Sequence, residues 1–309
     1  MTQHYKIKYI FCRRTALFSI ILFFLFAFLL VTPGYTYTDQ QDVQHHERTT
    51  KKSSWWDRLH FSATARQLDF EDLNETLTLS PLDQFIYSDQ PWTIDWQQDM
   101  FYGSLFYDFL NRPHFTLSAG LHLGISQGEF SATNTITGFN EWWQTEPALL
   151  WGIHSAAEIF SKRRQGPFLR LRSNYFAARG DEEEEVVRNA RPGNNVDART
   201  ASFHWKTLET EMLIGWRFAS LSPLTGLSYS WFKLRKRLSH HITKTGETPF
   251  ESLLIATLNA EDAKFEYKNH DELGWLVGLE WQPTEHFSCI ATSKITNHLS
   301  WQLTARLSF

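Results

Sequence analysis

Cysteine is almost absent. Among 309 residues only Cys12 and Cys289 carry a thiol, so no disulfide framework and no cysteine-rich metal site can organise the fold. Long apolar runs are equally scarce. After residues 16–31 no stretch approaches the roughly 20 apolar residues that a membrane-crossing helix needs. Strong charge of either sign is missing too. There are 30 Lys and Arg against 34 Asp and Glu, a formal charge of −4, which argues against a nucleic-acid partner. Disorder is excluded because 42% of the residues are hydrophobic. What the chain does have is aromatic surface: 25 Phe, 13 Trp and 10 Tyr. Yet the mean hydropathy is only −0.37. A soluble domain would have to hide most of those rings, and a helical membrane bundle would be more apolar on average.

The first segment reads as an address. Residues 1–14 hold Lys6, Lys8, Arg13 and Arg14 and no acid, residues 16–31 are nearly unbroken apolar sequence, and Thr32, Gly34, Thr36 and Thr38 follow. A basic region, an apolar core and a small-residue exit predict a secretory signal peptide over residues 1–38, cut after Gly34, Thr36 or Thr38. Removing it leaves 26 bases against 34 acids, a charge of −8, and Cys289 as the one thiol. Residues 39–54, polar and carrying His45 and His46, are expected to form a flexible periplasmic lead to Trp55 and Trp56, with the folded domain spanning 55–309.

Within that domain the apolar residues recur at every second position. Trp301, Leu303, Ala305 and Leu307 share one parity, with Gln302, Thr304, Arg306 and Ser308 on the other. Leu117, Ala119, Leu121, Leu123 and Ile125 repeat the pattern, as do Leu273, Trp275, Val277, Leu279 and Trp281. Such strands have one apolar and one polar face. The polar parity is rich in Gly, Ser, His, Glu and Arg, as a packed lumen requires. Large aromatics stand at the ends of the apolar faces, as the girdles of a lipid-facing barrel do. Ten strands are expected: 58–69, 97–110, 114–128, 147–161, 167–179, 203–220, 224–238, 270–282, 285–295 and 299–309. Short turns alternate with long loops at 70–96, 129–146, 180–202 and 239–269. The fold class is therefore all-β, a transmembrane antiparallel up-and-down barrel of about ten strands.

The tail adds a resemblance. Residues 272–309, ELGWLVGLEWQPTEHFSCIATSKITNHLSWQLTARLSF, resemble the closing strands of a broad family of uncharacterised outer-membrane β-barrel proteins of Gram-negative bacteria. The last strand, ending at Phe309, is similar to the carboxy-terminal assembly signal of such proteins. The resemblance implies insertion into the outer membrane by the barrel assembly machinery, and outer-membrane lipid and lipopolysaccharide are the expected partners. It implies no activity and no cofactor.

Assigning the polar parity inward places Arg66, Arg170, Arg172, Arg217, Lys294 and Arg306 with Asp108, Glu158, Glu209, Glu211 and Glu280 in the lumen, beside His122 and His154. Ten strands enclose little space, and wide aqueous channels need about 16 to 18. Buried charges must pair, so the lumen is expected to be plugged by a salt-bridge network and the monomeric barrel to serve a structural or surface-binding role through its loops. A narrow, low-conductance pore is the alternative. The strand count also resembles that of omptins, outer-membrane proteases, although none of their sequence motifs matches. That resemblance singles out Asp95, Asp99, His270 and Asp271 as candidate catalytic groups. Neither a metal site nor a phosphate loop is expected. Lys233, Arg235 and Arg237 continue the outward parity of Leu227, Tyr229 and Trp231 beyond the aromatic belt and are candidates to hold lipopolysaccharide phosphates.

Overall fold

A computed structural model describes residues 55–71, 73–78, 92–134, 140–160, 165–181, 185–187, 197–242, 248–249, 252–253, 256, 263–269, 272–295 and 299–308. The expected signal peptide, the lead over 39–54, His270, Asp271 and Phe309 lie outside them. A short 3-10 helix, Trp55–Arg58, precedes β1 (Leu59–Phe70). Then come β2 (Asn74–Thr78), β3 (Trp92–Arg112), β4 (Phe115–Asn134), β5 (Asn140–Gln144), β6 (Ala148–Phe160) and β7 (Gly166–Asp181). The rest are β8 (Glu185–Val187), β9 (Asp197–Arg217), β10 (Leu221–Ile242), β11 (Ala263–Lys268), β12 (Glu272–Trp281), β13 (Phe287–Ile295) and β14 (Leu299–Ser308).

Ten of these strands pair in the order β10, β12, β13, β14, β1, β3, β4, β6, β7, β9, and β9 pairs back onto β10. The sheet is thus an antiparallel ring of ten strands, as the alternation predicts. Closure matters because an open edge in hydrocarbon would leave backbone groups unpaired. At one end of the ring the connections are short, as at 113–114, 218–220 and 282–286. This is the turn end, and the other is the loop end.

The loop end differs from expectation. Among the described residues, the segments read as long loops are mostly strand. β3, β4, β9 and β10 run for 21, 20, 21 and 22 residues, about twice what a bilayer crossing needs. β2, β5, β8 and β11 lie wholly within those segments. They extend the wall where shorter strands stop. β12 covers β10 from Leu221 to Ser230, and β11 covers it from Lys233 to Leu238. β5 likewise takes over β4 beyond the last β6 pair, Ser126↔Ala148. In the gap between β11 and β12, Asn269 acts as a strand residue. Its Oδ1 accepts from Phe232 N at 2.7 Å and its Nδ2 donates to Ser230 O at 3.0 Å.

The two ends have opposite polarity. From the turns to about the middle, the outer surface is apolar: Leu121, Leu123, Trp151, Ile214, Trp216, Leu273 and Trp281 are each between 43% and 69% exposed. On β10 this belt runs from Leu221 to Trp231, the eleven residues of a tilted membrane strand. Inside it, Thr64, Arg66, Ser104, Asp108, His122 and Glu211 are buried. Above Trp231 the pattern reverses. Lys233, Arg235, Arg237, His204 and Arg179 face outward, while Phe130, Trp143, Phe203, Trp205, Phe232 and Leu234 form a buried core. Lipid outside demands apolar residues outside, and water outside demands them inside. The strands cross from one solvent to the other, and their parity switches accordingly.

Candidate functional site

The inward charges of the belt region converge. Glu158 on β6 and Arg170 on β7 are register partners, as are Arg172 on β7 and Glu211 on β9. Arg170 bonds Glu158 at 2.6 Å and reaches Glu280 on β12 at 3.1 Å. Arg217 pairs with the other oxygen of Glu158, and Arg172 pairs with Glu211. Arg66 on β1 crosses the lumen to Glu209 on β9, five steps away round the ring. Asp108 takes His60 Nε2 at 2.9 Å, and Lys294 donates to Ser230 Oγ at 2.6 Å. Arg306 stands half-buried opposite Ser62 and Ser288. Every inward charge named from the sequence therefore stands inside this one ring. The register pairs come from neighbouring strands, whereas Arg170 reaches three strands round the ring to Glu280 and Arg66 crosses the lumen to Glu209.

The lumen is not entirely polar. Near the turn end Phe160, Phe168, Leu213, Leu224 and Leu276 form a small apolar cluster. The Arg217 guanidinium lies over the Phe160 and Phe168 rings at 5.4 and 4.9 Å, a cation–π geometry.

Above the charges sits an aromatic plug that the sequence reading passed over. Phe70 stacks on Phe232 with centroids 4.1 Å apart. Trp96 lies 5.7 Å from Phe203 and 6.4 Å from Phe232, and Phe130 lies 5.4 Å from Tyr267. Gly128 leaves the room. A Cβ there would fall 2.0 Å from the Trp96 ring, which is buried to 1% and has nowhere to move. Lys236 Nζ enters the plug 4.5 Å from the Phe130 ring and 4.7 Å from Trp143. The available signal was a change of parity within one strand: on β10 Leu227, Tyr229 and Trp231 point one way, and Phe232, Leu234 and Leu238 the other.

A hydrogen-bonded chain of nucleophile and base types also lies inside. Ser104 Oγ is 2.7 Å from His122 Nδ1. His122 Nε2 is 3.3 Å and His154 Nδ1 2.7 Å from Asn174 Oδ1. Because Oδ1 only accepts, both imidazoles donate to it, and His122 Nδ1 accepts from Ser104. Within its own strand His122 has Ser118 and Ser126, each four residues and about 13 Å away. Its actual partner is across the ladder, in the register pair Ser104↔His122. The serine–histidine geometry suits nucleophilic catalysis. Tyr102, Phe106 and Phe176 pack round His122 with centroids 4.9 to 6.0 Å away, and both Ser104 and His122 are buried. The chain ties β3, β4, β6 and β7 together.

The hydrolase candidates do not converge among the described residues. Asp95 and Asp99 lie on the outer wall of β3, opposite Ser131 and Gln127, and four strand residues separate them by about 13 Å. No three His, Cys, Asp or Glu side chains group as a metal site among the described residues.

The rim cations do converge. Glu266 on β11 bonds Lys233 at 2.6 Å, Arg235 at 3.1 Å and Lys268 at 3.2 Å. Burial opposes its ionisation, but hydrogen bonds from Lys233, Lys268 and Arg235 outweigh that and bring its pKa down to about 2. His204 is held below the usual histidine range by burial and by Lys206, Arg235 and Arg179 around it.

No protein-family model and no curated protein sequence matches the chain. Among solved structures it is similar to the outer membrane protease OmpT of Escherichia coli, at 9% identity and TM-score 0.43, over 84% of this chain and 100% of that one. It is also similar to the transport unit of the autotransporter AIDA-I of Escherichia coli, at 10% identity and TM-score 0.31, over 86% and 93% of the two chains. A third is the CymD monoaromatic hydrocarbon channel, at 6% identity and TM-score 0.23, over 82% and 88%. The fold assignment rests on the strand pairing and the belt: the chain is a transmembrane antiparallel up-and-down β-barrel of ten strands.

Proposed function

We propose that this chain is an outer-membrane protein with a closed, non-conducting barrel, serving as a monomeric scaffold that presents its tall loop end at the cell surface. The observation carrying this reading is the Phe70–Phe232 stack, a contact across the lumen directly above the Arg66–Glu209 pair. Ions would have to pass both an apolar septum and a paired charge layer in a lumen of only ten strands. Insertion by the barrel assembly machinery through β14 and Phe309 belongs to the same reading, as does contact of the belt with outer-membrane lipid.

Two measurements test it. Membrane extracts should show heat-modifiable gel mobility, and recovery of the chain as a soluble periplasmic protein overturns the membrane assignment. Refolded protein in planar bilayers should give no unitary current steps. Stable steps would replace the scaffold with a narrow pore.

A further inference from the structure

We propose that the outer wall formed by β7, β9, β10 and β11 binds the phosphate groups of an acylated, phosphorylated lipid of the outer leaflet. The proposal rests on the membrane reading above and deepens it by naming a ligand class and its site. The sequence points to three cations on one strand, and the register turns them into a lattice. Lys233 stands between Lys206 on β9 and Lys268 on β11. One level higher, Arg235 stands between His204, itself opposite Arg179, and Glu266. Above that, Arg237 is opposite Lys264. Neighbouring strands are about 4.8 Å apart, so the lowest level sets three ammonium side chains side by side, while on the middle level Arg179 and Arg235 flank His204. Two of these guanidinium groups, Arg179 and Arg235, share the middle level, and a planar guanidinium can take two phosphate oxygens at once.

Height identifies the occupant as a lipid. Trp231 ends the apolar belt on β10, and Lys233 and Arg235 follow two and four residues later. On a strand tilted by about 45° those steps rise about 5 and 10 Å. The first lies within the polar headgroup layer, which adds roughly 5 to 8 Å to each side of the hydrocarbon core, and the second at its outer edge. A molecule whose acyl chains lie on Leu227, Tyr229 and Trp231 would bring its phosphates to the first two levels. A soluble polyanion would gain nothing from that continuity. Glu266 holds Lys233, Arg235 and Lys268 in place and, being negative, competes with the phosphate for them.

The test uses the full refolded chain in phosphatidylcholine vesicles. It is titrated with bis-phosphorylated lipid A, with the same lipid dephosphorylated, and with inorganic phosphate. Lipid A should bind at least about tenfold more tightly than its dephosphorylated form, and millimolar inorganic phosphate should not displace it. Arg235 and Lys268 have side chains 60% and 43% exposed. Arg235→Glu with Lys268→Glu should therefore keep heat-modifiable mobility yet lose at least about tenfold in affinity. Glu266→Gln should bind at least as tightly as the parent. Equal binding of the dephosphorylated lipid overturns the proposal, and displacement by inorganic phosphate overturns its lipid source. A loss in Glu266→Gln as large as in the charge reversal also overturns it, because it would show that wall integrity rather than charge holds the lipid. A chain that never acquires heat-modifiable mobility overturns the membrane reading itself, whereas one that inserts and ignores phosphate overturns only this site.

Discussion

Phe70 and Phe232 stack ring on ring, with planes 15° apart, although β14, β13 and β12 lie between their strands in the barrel wall. Each residue is buried to 2% or less, so neither ring has an alternative partner in water. Phe232→Ala should leave a cavity bounded by Phe70 and Trp96 and destabilise the fold by about 3 to 5 kcal/mol. Urea unfolding of the refolded protein measures this. A loss under about 1 kcal/mol would show that the plug is loosely packed and would remove its support for a closed barrel.

Glu158 carries two guanidinium groups, Arg170 on one oxygen and Arg217 on the other. Glu158→Leu should cost about 3 to 5 kcal/mol, because it removes the carboxylate that Arg217 pairs with and leaves Arg170 to Glu280 alone. Arg217→Met alone should cost less. It leaves Glu158 still paired with Arg170, and Phe160 and Phe168 can accept an apolar neighbour. The two variants compared by urea unfolding would refute the assignment if their order were reversed.

Asn269 stands in for a missing residue of sheet between β11 and β12, satisfying Phe232 N and Ser230 O. Asn269→Ala should expose one buried donor and one buried acceptor and cost about 1 to 3 kcal/mol. Amide hydrogen exchange at Phe232 should quicken in the variant. Unchanged exchange would mean that another group serves β10 there.

The Glu266 carboxyl has its pKa lowered to about 2 from an ordinary 4.5. A depressed carboxylate stabilises the folded state above its unfolded value and loses that contribution as pH falls through the folded one. Docking of β11 on β10 should therefore hold down to about pH 4.5 and loosen between there and pH 2. Exchange rates of the β11 amides follow this directly. Glu266→Gln should flatten the profile in that window, and high salt should weaken the effect because the pairs face solvent. A profile unchanged by the substitution would put the acid sensitivity elsewhere.

The belt half of the molecule was legible because lipid enforces a strict period of two on both faces. Leu121, Leu123 and Trp151 could only point outward, and Glu158, Arg170 and Glu211 could only point inward. The membrane-distal half was harder to read. There the apolar residues change faces, so Phe203, Trp205 and Phe232 fall on the parity that carries polar residues in the belt. Contacts between walls stayed hidden for a different reason. Arg66–Glu209 and Phe70–Phe232 join residues 143 and 162 positions apart, and only barrel closure sets such distances. Ser104 and His122 were a nearer miss: they meet through hairpin register, which periodicity along a single strand does not contain.

The switch of face within β10 also acts as a lock on alignment. A slip by one residue against β9 would turn Ser228 and Ser230 into hydrocarbon and, in the same movement, Phe232 and Leu234 into water while Arg235 entered the plug. Misalignment that one solvent might tolerate is rejected by the other. A hairpin about 20 residues long on each side, which in a uniform environment would have many nearly equivalent pairings, has a single register that satisfies both of its surroundings.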